Sequence, residues 1–340
     1  MVIKEQSNFK KIIQSKAFKG ISIAIVSAAL ASGVTYLAVN SGNSESTAIV
    51  SMKGDTITVS DFYKAAKNTS ASQQSLLTLL LGRVFEAQYG DKVSADDVKK
   101  AYDTTASSYG ASFSSALSSA GLTVDSYKQQ IRTSKLVEYA VGQAANKKLT
   151  TKNYKAAYKN YNPDTTAQII QLSDEDTANS VLSQVQAEGA DFATIAKNNT
   201  AEANKTVEYT FDSAETKVPS DVMKAAFAQN EGSVSSVIKV LNSSTYSYTY
   251  YIVKTTKKTE KKSDWKTYKE RLKKMILAQY EGDSSFQNKV IADALDKANV
   301  KIKDSAFANI LAQYATSSST SGTTSSSSTD SSSTDSSSSN

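Results

Sequence analysis

The sequence predicts an α+β protein: a mainly helical domain assembled from the N- and C-terminal parts of the chain, with a smaller mixed unit inserted between them. Three observations predict it. Capped segments with apolar residues at helical spacing fill residues 48–160 and return over 258–315. Between them, over 163–257, β-branched and aromatic runs alternate with short helical ones. An uncharged apolar run at 20–39 and a Ser/Thr-rich stretch at 316–340 bracket this globular part and contribute nothing to its core.

The elements follow in order. Ala48–Val50 and Thr56–Val59 flank Lys53-Gly54-Asp55 and predict a small hairpin. Ser60-Asp61 predicts the start of a helix carrying Phe62, Tyr63 and Ala66. Ser75–Tyr89 is apolar on most sides, so a buried helix is expected. Ser94-Ala95-Asp96-Asp97 opens the next helix, through Tyr102, and Phe113–Leu117 makes a short one. Thr123–Lys148 follows, with Tyr127, Ile131, Leu136, Tyr139 and Ala140 facing inward, then Lys152–Tyr161.

Past Pro163 the period changes. Thr165–Leu172 and Thr206–Phe211 predict strands, and Val234–Leu241 with Tyr246–Thr255 a further hairpin; Asp174–Ala187 and Ser220–Ala228 predict helices, and Gly189-Ala190-Asp191-Phe192 caps another that runs through Asn199. The expected result is a four-stranded sheet with helices on its surface. Helices return at Asp264–Tyr280, Ser284–Ala298 and Ser305–Tyr314. Trp265, the single tryptophan, is expected in or beside the core that joins the two helical segments.

Composition excludes much chemistry. The 340 residues include no Cys and no His, so there is no disulfide, no thiolate nucleophile, no Cys/His zinc site and no Ser-His-Asp triad. No metal and no cofactor are expected, since neither a calcium-loop nor a phosphate-loop motif occurs. The net charge is +6, yet Arg83, Arg132 and Arg271 are the only arginines among 39 cations. Arg supplies the forked contacts to phosphates and bases, so no nucleic-acid partner is expected. Acidic groups such as Asp174-Glu175-Asp176 begin helices, where they complement the macrodipole.

Lys4, Lys10, Lys11, Lys16 and Lys19 form a basic head over 1–19, ahead of the uncharged run Gly20–Val39. This is the pattern of an export signal or a membrane anchor with the head on the cytoplasmic side. A run of 20 residues matches a hydrocarbon core about 30 Å thick. Cleavage after it would instead release the protein. The tail from Ser317 to Asn340 is Ser or Thr at 20 of 24 positions and is expected to be disordered.

Several blocks carry a resemblance. Gly189-Ala190-Asp191-Phe192-Ala193, Ala225-Ala226-Phe227, Gly232-x-Val234-Ser235 and Tyr250-Tyr251-Ile252-Val253-Lys254 look like successive blocks of a parvulin-type peptidyl-prolyl isomerase domain. Tyr127-Lys128-x-Gln130-Ile131-Arg132-Thr133 and Ala156-x-Tyr158-x-x-Tyr161-x-Pro163, continuing to Gln168, resemble the foldase PrsA family. The resemblance spans roughly residues 48–315. It implies an exported, membrane-attached protein of Gram-positive bacteria whose partners are unfolded secreted polypeptides. Relatives usually carry a lipid on a Cys after the signal, which a chain without Cys cannot carry.

The resemblance also implies where the active positions fall. The family's two histidines fall at Ile169 and Tyr251, and its acidic or thiol residue falls near Glu208. The pocket Met and Phe fall near Val218 and Val222, and an aromatic is kept at Phe227. Isomerisation needs a twisted amide held in an apolar pocket with tuned hydrogen bonds. Without the histidine pair, weak or absent catalysis is expected, and the leading reading is a chaperone with a degenerate isomerase module. The alternatives are a working peptidyl-prolyl isomerase and a non-enzymatic surface adhesin or wall-binding protein. The adhesin reading would call for repeats, and the folded region has none. Whether the chain forms a homodimer stays open.

Overall fold

The computed structural model describes residues 46–242 and 246–314. The basic head, the 20–39 run, residues 243–245 and the 316–340 tail lie outside the described residues. β1 (Ala48–Met52) and β2 (Asp55–Thr58) form an antiparallel hairpin, with Gly54 at φ 85° in the turn. That φ is strained for any residue with a Cβ. The helices α1 (Val59–Ala66), α2 (Ser70–Tyr89), α3 (Ala95–Tyr109), α4 (Phe113–Ser119), α5 (Val124–Asn146) and α6 (Thr151–Lys159) follow.

Caps explain most of these boundaries. Ser94 begins α3 with a capping box: its hydroxyl accepts from the Asp97 N–H, and the Asp97 carboxylate accepts from the Ser94 N–H, both at 3.1 Å. The first helix corrects the expectation. Its cap is Thr58, paired with Asp61, so Ser60 lies inside the helix. α2 starts at Ser70, five residues before its apolar run, because Thr69 caps it. α3 runs on to Tyr109, well past Tyr102.

One core joins both ends of the described chain. Leu81 and Phe85 of α2 and Ile131, Leu136 and Val137 of α5 pack with Ile291 and Leu295 of α11 (Ser284–Lys297). A second cluster sets Tyr154 and Tyr161 against Leu272 and Ile276 of α10 (Lys269–Gly282). Trp265 sits half-buried beside this cluster and stacks on Tyr154, with ring centroids 5.1 Å apart. It lies on a 3₁₀ turn, Trp265–Tyr268, rather than on the expected α-helix. The expected helix Ser305–Tyr314 is likewise replaced by two 3₁₀ turns, Ser305–Phe307 and Ala312–Tyr314. Phe307, Ile310 and Tyr314 are buried there, so tertiary contacts rather than a regular helical stripe hold this segment.

Arg132 ties α5 to the end of α2. Its guanidinium donates twice to the Glu86 carboxylate at 2.7 Å, and to the Val93 and Gly90 carbonyls at 2.8 Å. The carbonyls near the end of α2 lack intrahelical donors, so this fork also caps the helix. Arg132→Lys keeps the charge and loses the fork. It is expected to cost about 1–2 kcal/mol. Urea denaturation checks this, and an unchanged midpoint would refute it.

The mixed unit holds a four-stranded antiparallel sheet in the order β4-β3-β6-β5. Its strands are β3 (Thr165–Leu172), β4 (Glu208–Phe211), β5 (Ile238–Asn242) and β6 (Ser247–Lys258). Helices α7 (Glu175–Gln186), α8 (Phe192–Asn199) and α9 (Ser220–Ala228) cover it. β4 and β5 are shorter than their β-rich runs suggest. Of the run at 234–237, only Val234 makes a bridge, to Lys254.

Candidate functional site

Strand parity sorts the sheet into two faces. Ile170 and Leu172 of β3 and Tyr250 and Ile252 of β6 pack under α7 and α8. Ala167 and Ile169 of β3, Tyr251 and Val253 of β6, and Tyr209 and Phe211 of β4 point the other way, toward α9. Ile169 is the register partner of Val253, and Tyr251 is that of Ile238. α9 brings Val222, Met223, Ala226 and Phe227 onto this face, and Val218 closes it from the preceding loop.

Five of the six residues singled out from the sequence therefore meet in one cluster: Ile169, Tyr251, Val218, Val222 and Phe227. Glu208 does not. It is exposed on β4, and its neighbours Tyr209 and Phe211 hold the inward parity. The same alternation, visible in the sequence, would have named Tyr209 in its place. Met223, Phe211, Tyr209, Ile238 and Val240 are further members that sequence reasoning missed. Met223 follows Val222 and precedes Ala226 and Phe227 at the i+3 and i+4 spacing of one helix face.

The cluster is apolar and aromatic. Phe227 meets Phe211 edge-on, with centroids 5.6 Å apart. Its titratable members are phenols. Burial pushes the Tyr251 hydroxyl up, with Tyr209 adding to the shift; burial likewise raises Tyr209, with Glu202 adding. Both stay protonated near neutral pH, so this face offers hydrogen-bond donors and no group that exchanges a proton there. Behind it the backbone is tightly satisfied. The Ser235 N–H donates to the Val253 carbonyl at 2.8 Å, the Val253 N–H donates to Ser235 Oγ at 3.0 Å, and Thr255 Oγ1 donates to the Ala226 carbonyl at 3.0 Å.

The sheet unit meets the helical part at Asp212, just past β4 and 1% exposed. Its carboxylate accepts from the Tyr161 hydroxyl at 2.8 Å, from the Ala214 N–H at 2.9 Å and from Nε and Nη2 of Arg271 on α10. Burial pushes the Asp212 carboxyl up, but the bonds from Arg271, Tyr161 and Ala214 outweigh it and hold it below its ordinary value. Burial, and then the bond to Asp212, raise the Tyr161 phenol.

A helical body with a small antiparallel sheet unit, whose face under α9 is apolar and histidine-free, defines a foldase with a helical chaperone part and a parvulin-like part. The chain belongs to the foldase PrsA family. It is 60% identical over 292 residues to the foldase protein PrsA of Streptococcus agalactiae, covering 86% of this chain and 94% of that one. Against PrsA 1 of Streptococcus pyogenes it is 57% identical over 291 residues, covering 86% and 83%. The crystal structure of foldase protein PrsA from Streptococcus pneumoniae superposes with a TM-score of 0.67 at 47% identity, covering 79% of this chain and all of that one. The foldase protein PrsA from Lactococcus lactis gives a TM-score of 0.57 at 37% identity, covering 80% of this chain and all of that one. No protein-family model matches the chain.

Proposed function

We propose that this foldase acts outside the cytoplasm chiefly as a chaperone for unfolded secreted polypeptides, and that its parvulin-like unit is catalytically degenerate. The observation that carries this reading is the pair Ile169 and Tyr251 on the sheet face under α9, in a cluster whose titratable members are phenols raised by burial. Ile169 has no hydrogen-bonding group, and Val218 and Val222 are small beneath a proline ring. Val222 is 0% and Val218 7% exposed, so they pack beneath this face, and apolar contact with a client would fall to the half-buried Phe227 and Tyr251.

In this reading residues 48–160 and 258–315 form the chaperone domain and 163–257 the inserted unit. Its support is the shared core of Phe85, Leu136, Ile291 and Leu295, drawn from both segments. Residues 20–39 would hold the protein at the membrane; no helix among the described residues is long and apolar enough to cross one.

Purified protein is expected to suppress aggregation of an unfolded client while accelerating proline-limited refolding little. Ile169→His with Tyr251→His should leave aggregation suppression unchanged. A refolding acceleration by the unmodified protein close to that of an intact parvulin would overturn the degenerate reading. Failure to suppress aggregation would overturn the chaperone reading.

A further inference from the structure

Apolar side chains at the surface concentrate at the start of the described chain. Ile49, Val50, Met52, Ile57, Phe62 and Tyr63 are each 39–49% exposed, and all lie within β1, β2 and α1. Every residue of β1 is exposed. Val50 and Ile57 are register partners, so they share a hairpin face with Met52, two residues along β1. A lone two-stranded hairpin is marginal in water, and this one presents its apolar side chains to solvent. It runs straight into a helix that is fixed to the body. The Val59 N–H donates to the Thr47 carbonyl at 2.9 Å and closes the base of the hairpin, and α1 is tied down where the Tyr63 hydroxyl donates to Asp304 at 2.8 Å, with Lys67 also reaching Asp304. The patch is thus a held surface rather than a loose end.

Its place in the chain says what covers it. The uncharged run ends at Val39 and β1 begins at Ala48, leaving the eight residues from Asn40 to Thr47. Fully extended, that link reaches about 30 Å. If 20–39 is a membrane anchor, the hairpin can never leave the neighbourhood of the bilayer surface. Lys53 at the hairpin turn and Lys64 on α1 put positive charge beside the apolar residues, while Asp55, the register partner of Met52, sets one carboxylate at the turn end of the same face. A shallow apolar face flanked by cations fits the headgroup and acyl boundary of an anionic leaflet.

We propose that the β1–β2 hairpin is a lipid-docking element: Val50, Met52 and Ile57 enter the interface of the membrane that holds the protein, and so fix the orientation of the helical body above it. This rests on the anchor reading of residues 20–39, and the test separates the two. The natural chain has no cysteine, so single-cysteine variants report one site each. Full-length Met52→Cys, Ile57→Cys, Lys99→Cys and Ala28→Cys are labelled with a polarity-sensitive fluorophore. They are reconstituted in vesicles of phosphatidylglycerol and phosphatidylcholine.

Labels at 52 and 57 are expected to emit at shorter wavelength than the label at 99. They should be quenched more by lipids spin-labelled near the headgroup than by lipids labelled at the chain end. A label at 52 as exposed and unquenched as that at 99 overturns the docking proposal, whatever happens at 28. An unquenched label at 28 overturns the anchor reading alone. A shift at 52 that appears only on adding unfolded client, or only with rising protein-to-lipid ratio, assigns the hairpin to clients or to a second copy and likewise overturns lipid docking.

Discussion

Replacing Asp212 with alanine is expected to lower stability by about 3 kcal/mol, one of the two largest losses anticipated from a single side chain here. Three observations set that size. The carboxylate is 1% exposed, so its removal leaves the Tyr161 hydroxyl without its acceptor in a buried place. Two guanidinium N–H donors and the Ala214 N–H lose the same partner. Against this, the Arg271 side chain is 43% exposed and can turn to water, which keeps the loss toward the low end for a broken buried pair. Asp221, whose carboxylate pairs with Lys224 in the open, serves as a control in which alanine should change little.

The same site carries a pH signature. The folded carboxyl of Asp212 is held below its ordinary value, about 3.9 in an unfolded chain. Its contribution is therefore complete at neutral pH and lost as the pH falls through the folded value. Asp212→Asn should accordingly flatten the acid limb of the stability profile. Urea midpoints from neutral to acid pH measure both effects, and parallel profiles for the two proteins would refute the role given to Asp212.

Ile291→Ala is expected to cost about 2–5 kcal/mol. Ile291 is 1% exposed and packs in the cluster that holds Phe85, Leu136 and Val137, residues more than a hundred positions earlier in the chain. Deleting its outer carbons loses their transfer free energy and leaves a cavity that the surrounding helices close only in part. The particular outcome is where the loss is felt. If the two helical segments share one core, circular dichroism of the helices should shift in a single transition together with Trp265 fluorescence. A fluorescence transition that shifts while the bulk of the helical signal melts as before would mean that α2 and α5 hold together without α11.

Much of this architecture is legible in the sequence because its causes are local. The strand Thr165–Leu172 and the helix Ser220–Ala228 fall at their expected boundaries, since each is short, strongly patterned and bounded by turn or proline residues. Thr123, Asp174 and Asp191 cap helices where the pattern places them. The misplaced boundaries have local rivals. Thr58, Ser60 and Asp61 all carry capping groups, and only the backbone path out of β2 selects Thr58. The 3₁₀ turns around Phe307 and Tyr314 depend on what they pack against, and no period within those residues reports that.

The candidate site divides in the same way. That it holds no histidine, and so no side chain with an ordinary titration near neutrality, is decided by composition alone. That Ile169, Tyr251, Val218, Val222 and Phe227 share one surface while Glu208 is turned out of it is a matter of register between β4, β3 and β6. A shift of one residue would reverse the faces, and a single strand does not state its own register. Asp212 shows the limit most clearly. In the sequence it is one acid in Phe211-Asp212-Ser213, while its partners Tyr161 and Arg271 stand 51 and 59 residues away on opposite sides. The sequence by itself determined the elements, their caps and the chemistry that is missing, because those depend on neighbours within a few residues. The joint between the sheet and the helices, and the set of side chains that face α9, were decided only when distant segments packed, because burial and charge pairing are properties of space rather than of spacing.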